Sequence, residues 1–127
     1  MLPKIWEYAL SFMIRGTLTN NSDEEFSYVS ARPIEKGIPT FIFFHATGFN
    51  GQTYWQLVEG LDNKFEGSVN CISLDQRGHG LSTALTEPER LKDWSLYLQD
   101  ALEITDKLEG PLFCAGHSMG SIVAAKL

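Results

Sequence analysis

The sequence predicts an α/β fold: a mostly parallel sheet with an antiparallel hairpin at its N-terminal side and helices that cross over between the parallel strands. Three apolar runs of strand length begin at Thr40, Val69 and Leu112, and the stretches between them carry hydrophobic residues at helical spacing. The segment before Thr40 instead alternates between apolar and polar residues, which is typical of antiparallel strands with one exposed face.

The hairpin is predicted from two alternating segments on either side of a polar turn. Residues 5–18 place their large apolar side chains on one parity: Trp6, Tyr8, Leu10, Phe12 and Ile14. Asn20 to Glu25 is a polar turn, and the alternation resumes from Phe26 to Arg32. Two segments of period two joined by such a turn indicate an antiparallel pair of strands.

The next part of the chain predicts a strand, a helix and a second strand. Thr40 to Phe44 is apolar on both parities, which fits a parallel strand buried on both faces. After a glycine-containing loop, residues 53–65 show helical spacing of their apolar side chains. Another apolar strand runs from Val69 to Leu74. This order and spacing is that of a βαβ unit, whose crossover we expect to be right-handed.

A second unit of the same kind is predicted between residue 76 and the strand at Leu112. Residues 76–87 form a polar loop, and Thr86 to Glu89 has the form of a capping box with a proline in the first turn. That pattern predicts the start of a helix, and a hydrophobic stripe at helical spacing extends from Leu91 to Leu108. Gly110 and Pro111 are expected to end this helix.

Composition favours one soluble domain and argues against two kinds of partner. The chain has 127 residues, of which 43% are hydrophobic and 20% charged, enough for a single domain with a core. Its formal net charge of −6 argues against a nucleic-acid partner, because phosphate binding needs a basic surface. No apolar run approaches the roughly 20 residues of a membrane span. The N-terminus lacks the apolar block of a secretory signal, so we expect a cytoplasmic location.

The two cysteines, Cys71 and Cys114, each lie inside an apolar run of strand length. A disulfide framework or a metal site would need more cysteines or a closer spacing. We therefore expect both to behave as small buried hydrophobic residues.

The most informative stretch joins an apolar run to a Gly-x-Ser-x-Gly pattern and then to a small, helix-favouring tail. The predicted strand, from about Pro111 to Ala115, meets the segment Gly116-His117-Ser118-Met119-Gly120. A strand that turns sharply into a helix holds the turn residue in strained φ/ψ with its side chain held out. Only glycine fits two positions to either side of such a turn. Ser118 is therefore a candidate nucleophile, and the plainer alternative is a serine in a glycine-rich turn.

Three segments, in this order along the chain, resemble the α/β-hydrolase family. Phe41–Phe49 is similar to the family's strand followed by a His-Gly loop, Asp75–Ser82 to its Asp-x-Arg-Gly-x-Gly-x-Ser turn, and Gly116–Gly120 to its nucleophile elbow. The resemblance implies a partial α/β-hydrolase fold. It also implies the strand order 1-2-4-3-5, in which the strands of Cys71 and Cys114 are not neighbours.

The same resemblance implies roles for particular residues. Ser118 would be the nucleophile, and the N–H of Met119, at a helix N-terminus, would be one donor to the oxyanion. The second donor would be the N–H of Thr47, with Gly48 as the alternative because Ala46 stands where the family has its first glycine. The structural alternative is a glycine loop that only turns the chain. No metal or organic cofactor is implied.

In the family, the histidine that takes the proton of the serine and the acid that orients it both follow the serine in the chain. No Asp, Glu or His follows Ser118 here. We therefore predict that residues 1–127 are the N-terminal part of a single α/β-hydrolase domain. The full protein is predicted to be a serine-nucleophile hydrolase of a small-molecule ester or similar acyl substrate. The alternatives are a non-catalytic ligand-binding or receptor-like family member, and an inactive truncated fragment.

The three upstream histidines are interpreted as structural. His117 adjoins Ser118, but successive side chains diverge on a turn. By the resemblance, His45 helps to shape the loop after its strand. His79, in the Arg-Gly-His-Gly turn, is interpreted as a solvated or turn-packing histidine.

Other polar and aromatic residues near these motifs have structural interpretations as well. The resemblance implies that Asp75 and Arg77 tie loops together in a structural turn, and Asp75 is not assigned as the acid of the triad. Tyr54, Trp55 and Met119 either line an acyl pocket or pack in the core.

Overall fold

A computed structural model of the chain describes residues 13–127. The predicted strand over residues 5–18 therefore lies largely outside the described residues. The strands of the described part are β1 Ile14–Thr19, β2 Glu25–Ser30, β3 Thr40–Phe44, β4 Asn70–Leu74 and β5 Leu112–Gly116. The α-helices are α1 Trp55–Phe65, α2 Ser95–Thr105 and α3 Met119–Lys126, with 3₁₀ turns at Gly51–Tyr54 and Pro88–Arg90.

These strands form one sheet in the order β1-β2-β4-β3-β5. β1 pairs with β2, and β2 with β4, in antiparallel fashion, whereas β3 lies parallel between β4 and β5. The predicted hairpin and the strand order implied by the family resemblance are both confirmed.

The two cysteines are separated by β3, because Cys71 lies on β4 and Cys114 on β5. Both thiols are free. Cys71 is buried as expected, whereas Cys114 is only half-buried against the edge of the core. Burial raises the pKa of Cys71 to about 11, so this thiol stays protonated at neutral pH.

Helices cover both faces of the sheet. α1 packs on one face, where its Val58 is fully buried, and α2 and α3 pack on the other in contact with each other. The larger core lies on the α2 and α3 side and includes Phe26, Tyr28, Ile42, Phe44, Ile72, Leu74, Ala101, Ile104, Met119 and Val123. Burying one large apolar side chain contributes about 1.5–3 kcal/mol, so this face supplies most of the hydrophobic stabilisation that fixes β3 and β4 at the centre.

The second crossover helix differs from the prediction at both ends, whereas the other described elements agree with it within two residues. α2 begins at Ser95 instead of residues 86–89, and it stops about one turn short of the predicted end. Pro88–Arg90 forms only a 3₁₀ turn, because the next residue leaves the helical region at φ −101° and ψ 41°. Asp93 then accepts the N–H of Ser95 at 2.8 Å. Side chains that take backbone donors in this way compete with a helix that continues through them.

A cluster of three charges, two of them buried, joins the loop after β4 to two distant parts of the chain. Arg77 is 1% exposed and bonds Asp100 on α2 at 2.9 and 3.0 Å. The same guanidinium bonds Glu24, in the turn between β1 and β2, at 2.7 and 2.8 Å. The hydrogen bonds from Arg77 hold the pKa of Glu24 at about 2, while burial raises the pKa of Asp100. These bonds agree with the structural role inferred for Arg77.

Replacing Arg77 by leucine should lower the free energy of unfolding by about 3–5 kcal/mol, because buried Asp100 and partly buried Glu24 would lose their shared partner. Arg90 is exposed, so Arg90→Leu is a matched control that should change stability by less than about 0.5 kcal/mol. Urea denaturation of the two variants measures both effects. Equal stability of the two variants would contradict the importance of the cluster.

Glu24→Gln should make the protein less stable at pH 7 by about 1–3 kcal/mol, since a charge-assisted hydrogen bond is lost. The pKa of Glu24 is about 2 in the folded protein and ordinarily 4.5. Its stabilisation is therefore present above the ordinary pKa and is lost as the pH falls toward 2. The difference between parent and variant should shrink over that range. Glu89→Gln, at an exposed position, should show no such dependence, and a difference that is constant with pH would refute the assignment.

Candidate active site

The turn between β5 and α3 has the strained geometry predicted for a nucleophile elbow. Ser118 lies directly before α3 with φ 55° and ψ −118°. A positive φ is uncommon for any residue with a side chain and requires support from its surroundings. Ser118 is exposed, whereas the following Met119 is 2% exposed and packs in the core. The strand-to-helix turn is confirmed, and the side chain of Met119 is a core residue.

The two glycines of the elbow are required by close backbone contacts. A Cβ on Gly116 would collide with the backbone of Gly120, and a Cβ on Gly120 would collide with the carbonyls of Phe44 and His45. The first contact lets α3 fold back over the end of β5. The second lets the same helix approach the end of β3, which explains why both positions must lack a side chain.

The loop after β3 lies beside the elbow. Phe44 is paired with Gly116 in the parallel register, and its carbonyl accepts the N–H of His117 at 3.1 Å. Since Gly120 also touches the backbone at Phe44 and His45, the first turn of α3 sits against the point where the chain leaves β3. This is the place where the family resemblance puts the oxyanion loop.

Backbone donors in this loop have different partners. The N–H of Ala46 donates to the Tyr54 hydroxyl at 3.2 Å, and that of Gly48 donates to Nε2 of His79 at 3.1 Å. Within residues 13–127, neither the N–H of Thr47 nor that of Met119 has a hydrogen-bond acceptor. Thr47 is also exposed. The N–H groups of Thr47 and Met119, the two proposed oxyanion donors, are therefore free of acceptors in this part of the chain. The N–H of Gly48, the alternative donor, already has an acceptor in His79.

The conformation of this loop also explains why Ala46 can stand where the family has its first glycine. The residue of this loop with a positive φ is Gly48, at 83°. Ala46 is buried, and its carbonyl accepts the N–H of Phe49 at 3.1 Å in a tight turn. The glycine that the turn needs therefore stands two residues after the place where the family has its first one, and alanine fits at residue 46.

His45 and His79 are both held by backbone groups. His45 is fully buried; its Nδ1 lies 2.8 Å from the carbonyl of Ala46, and its Nε2 accepts the N–H of Gln76 at 2.9 Å. Burial lowers the pKa of His45, which keeps the ring neutral. The His79 ring lies 4.7 Å from that of His45, and its Nδ1 is 2.9 Å from the carbonyl of Arg77. Both rings therefore have a structural role, because their nitrogens bond the backbone of the surrounding loops.

A pairing that sequence reasoning missed links His117 to Tyr54. Nδ1 of His117 lies 2.9 Å from the Tyr54 hydroxyl, although the two residues are 63 positions apart. The ring of Tyr54 packs on Phe43 at 4.3 Å, and that of His117 stacks on exposed Phe49 at 6.2 Å. Nothing in local spacing signals this contact, because it depends on the parallel pairing of β3 with β5. Tyr54 ends the 3₁₀ turn before α1, and both it and the following Trp55 are half-buried.

The carboxylate of Asp75 accepts hydrogen bonds from the backbone of two separate loops. It is 1% exposed; one oxygen accepts the N–H of Gly51 at 2.7 Å and the other that of Leu81 at 3.0 Å. Arg15 on β1 lies 3.5 Å from the second oxygen. These contacts tie the start of the α1 segment to the turn after β4, which agrees with the structural interpretation of Asp75.

The described residues offer neither a cluster of metal ligands nor a helix of membrane-spanning length. Across residues 13–127, no three His, Cys, Asp or Glu side chains come together so that they could hold a metal ion. No helix in that range is long and apolar enough to cross a membrane.

Sheet order and elbow together define a protein of the α/β-hydrolase class. The model of the family described as "Serine aminopeptidase, S33" matches residues 38–127. The chain belongs to this α/β-hydrolase family.

Two curated proteins illustrate the sequence similarity. The (E)-2-((N-methylformamido)methylene)succinate hydrolase of Acinetobacter baylyi is 35% identical over 83 residues, which cover 65% of this chain and 29% of that protein. Protein phosphatase methylesterase 1 of Debaryomyces hansenii is 29% identical over 103 residues, 72% of this chain and 25% of that protein. The chain thus spans less than a third of the length of these relatives.

Solved structures show the same fold at lower identity. The thioesterase domain from the curacin biosynthetic pathway superposes with a TM-score of 0.72 at 21% identity, covering 91% of this chain and 40% of that one. An epoxide hydrolase from Vigna radiata superposes with a TM-score of 0.71 at 21% identity, covering 90% of this chain and 35% of that one. These superpositions confirm the α/β-hydrolase fold, and the family model shows the family.

Gly120→Ala should destabilise the protein by about 1–3 kcal/mol, because the added methyl group meets the backbone at the end of β3. Gly60, inside α1, is a matched control with no atom within 4 Å of an added Cβ. Gly60→Ala should be stabilising by up to about 1 kcal/mol through helix propensity. Urea denaturation compares the two variants, and a Gly120→Ala protein as stable as the parent would contradict the elbow packing.

Proposed function

We propose that the protein is a serine hydrolase of a small-molecule ester or a similar acyl substrate, with Ser118 as the nucleophile. The observation that carries the proposal is the elbow itself: an exposed serine held at φ 55° directly before a helix. Strain of this kind at an exposed polar residue is characteristic of active sites. One of the similar proteins is a methylesterase by name, which favours ester chemistry over the other reactions of hydrolases.

In the proposed reaction, the Ser118 Oγ adds to the carbonyl carbon of the substrate while a general base takes its proton. The negative charge that develops on the carbonyl oxygen is stabilised by the N–H groups of Met119 and Thr47. Collapse of this intermediate expels the leaving group, which takes up the proton, and leaves an acyl group on Ser118. Water then adds to the acyl carbon by the same route and releases the acid and the free serine.

The choice of Thr47 over Gly48 is supported by hydrogen bonding. An oxyanion donor must have its N–H uncommitted before the substrate arrives. Among the described residues the N–H of Thr47 meets this condition, whereas that of Gly48 donates to His79. The N–H of Met119 meets it as well, at the N-terminus of an eight-residue helix, where first-turn donors lack partners within the helix. We expect the Thr47 and Met119 nitrogens to lie within roughly 8 Å of each other, so that both reach one oxygen.

The general base and its acid are proposed to lie in sequence that follows Leu127, so that residues 1–127 are the N-terminal part of one hydrolase domain. The chain covers only 25–29% of the two curated relatives and 35–40% of the two structures. Strand β5 pairs only with β3 among the described residues, and its Phe113 is 56% exposed. A strand edge with an apolar side chain in this position is suited to pair with a further strand.

The 127-residue chain alone should hydrolyse p-nitrophenyl butyrate very slowly, and the full-length protein should hydrolyse it rapidly. Without a base, Ser118 stays protonated and is a poor nucleophile, although an oxyanion site alone still gives some acceleration. In the full-length protein, Ser118→Ala should reduce kcat by at least about 10³-fold. Ser22→Ala, at an exposed turn position, is the control and should leave kcat unchanged.

Labelling with a fluorophosphonate followed by peptide mass spectrometry identifies the nucleophile directly. We expect the full-length protein to carry the label on Ser118. Turnover that survives Ser118→Ala would refute the proposal, as would a full-length protein that binds ligands but hydrolyses no ester. Rapid, Ser118-dependent turnover by the 127-residue chain alone would place a base within these residues and refute the proposed domain organisation.

A further inference from the structure

We propose that His79 is a positioning residue that holds the Thr47 N–H in place for the oxyanion. The inference rests on the proposed function, since it assigns a support to one of the two proposed donors. It starts from the hydrogen bond between the N–H of Gly48 and Nε2 of His79, at 3.1 Å. Thr47 itself has no backbone hydrogen bond from its N–H among the described residues, so its direction is set by its neighbours.

Thr47 lies between two anchored residues. On one side, the N–H of Ala46 donates to the Tyr54 hydroxyl at 3.2 Å. On the other side, the N–H of Gly48 donates to His79. The carbonyl of Ala46 belongs to the same peptide group as the Thr47 N–H; it accepts the N–H of Phe49 at 3.1 Å and lies 2.8 Å from Nδ1 of His45. With this peptide group and its two neighbours held, the Thr47 N–H has little freedom to rotate. The bond to His79 restrains a glycine at φ 83°, the residue type with the greatest backbone freedom.

The bonding pattern of His79 fixes which nitrogen carries the proton. Nδ1 lies 2.9 Å from the carbonyl of Arg77, and a carbonyl can only accept, so Nδ1 is the donor. In the neutral ring Nε2 then has a free lone pair, which is what the N–H of Gly48 requires. The two nitrogens therefore have distinct roles, since Nδ1 ties the ring to its own turn and Nε2 supports the oxyanion loop.

His79 can act as a support because its own turn is rigid. Its N–H donates to the carbonyl of Gln76 at 3.0 Å, and its carbonyl accepts the N–H of Ser82 at 3.3 Å. The ring packs between His45, at 4.7 Å, and Tyr97 on α2, at 6.4 Å. Two residues earlier, Arg77 is anchored by its ion pairs. Because the His79 side chain is held in this way, its Nε2 offers the N–H of Gly48 an acceptor in a fixed position.

Two substitutions separate the roles of the two nitrogens. The amide oxygen of glutamine reaches about as far as Nε2 of histidine, so His79→Gln keeps an acceptor for Gly48. The amide nitrogen of asparagine lies near the position of Nδ1, so His79→Asn keeps the donor to Arg77 and removes the acceptor. Both variants retain a polar side chain in the turn, which makes them a matched pair.

The test measures ester hydrolysis by the full-length protein, with p-nitrophenyl butyrate as the probe. Complete loss of an oxyanion donor costs about 10²–10³-fold in kcat, so a displaced donor in His79→Asn should cost about 10–100-fold with little change in KM. His79→Gln should recover most of kcat. Equal kcat values for His79→Asn and the parent, or equal losses in both variants, would overturn the inference while Ser118-dependent turnover persists. Absence of turnover in the parent would instead overturn the proposed function.

A second measurement does not depend on activity. Nitrogen-15 NMR of the histidine rings should show His79 protonated on Nδ1, and amide exchange at Gly48 should be slow in the parent. Exchange at Gly48 should rise at least about tenfold in His79→Asn, because its acceptor is gone. Rapid exchange at Gly48 in the parent would show that the anchor does not form, and would refute the inference even if the variants proved unstable.

Discussion

The buried guanidinium of Arg77 is the interaction on which the arrangement of the site depends. Moving a charge of this kind out of water costs several kcal/mol, and only close, well-directed partners offset it. Arg77 has two carboxylates, Glu24 and Asp100, which come from the β1–β2 turn and from α2. Because all three must meet, the hairpin, the loop after β4 and the second crossover helix are fixed relative to one another.

The loop that Arg77 fixes is in turn hydrogen-bonded to the loops around the candidate active site. The loop after β4 contains Asp75, whose oxygens fix the start of the α1 segment, and His79, whose ring bonds the loop after β3. The remaining contact is made by Gly120, which brings the elbow against the end of β3. The loop after β3 is therefore held by the hydrogen bond to His79 on one side and by the close contact with Gly120 on the other. In the proposed reaction this loop and the elbow each supply one donor to the oxyanion.

Much of this arrangement could be predicted from the sequence, because its signals are local. The apolar runs at β3 and β4 follow from burial on both faces of the sheet, and the glycines around Ser118 follow from crowding at a sharp turn. The start of α2 was predicted wrongly because Thr86 to Glu89 has the pattern of a capping box, whereas the helix begins only at Ser95, whose N–H donates to the side chain of Asp93. The bonds from Gly48 to His79 and from Tyr54 to His117 were missed, since each joins residues that only the sheet topology brings together. The choice between Thr47 and Gly48 was open for the same reason.

The hydrogen bonds of the three histidines bear on where a general base can come from. A base must offer a free lone pair to the serine proton. His45 and His79 each donate from Nδ1 to a carbonyl and accept a backbone N–H at Nε2, so neither lone pair is free. In His117, Nδ1 is engaged with the Tyr54 hydroxyl, whose oxygen also accepts the N–H of Ala46. Both ring nitrogens of His45 and His79 and the Nδ1 of His117 are therefore engaged, which argues against these atoms as the general base.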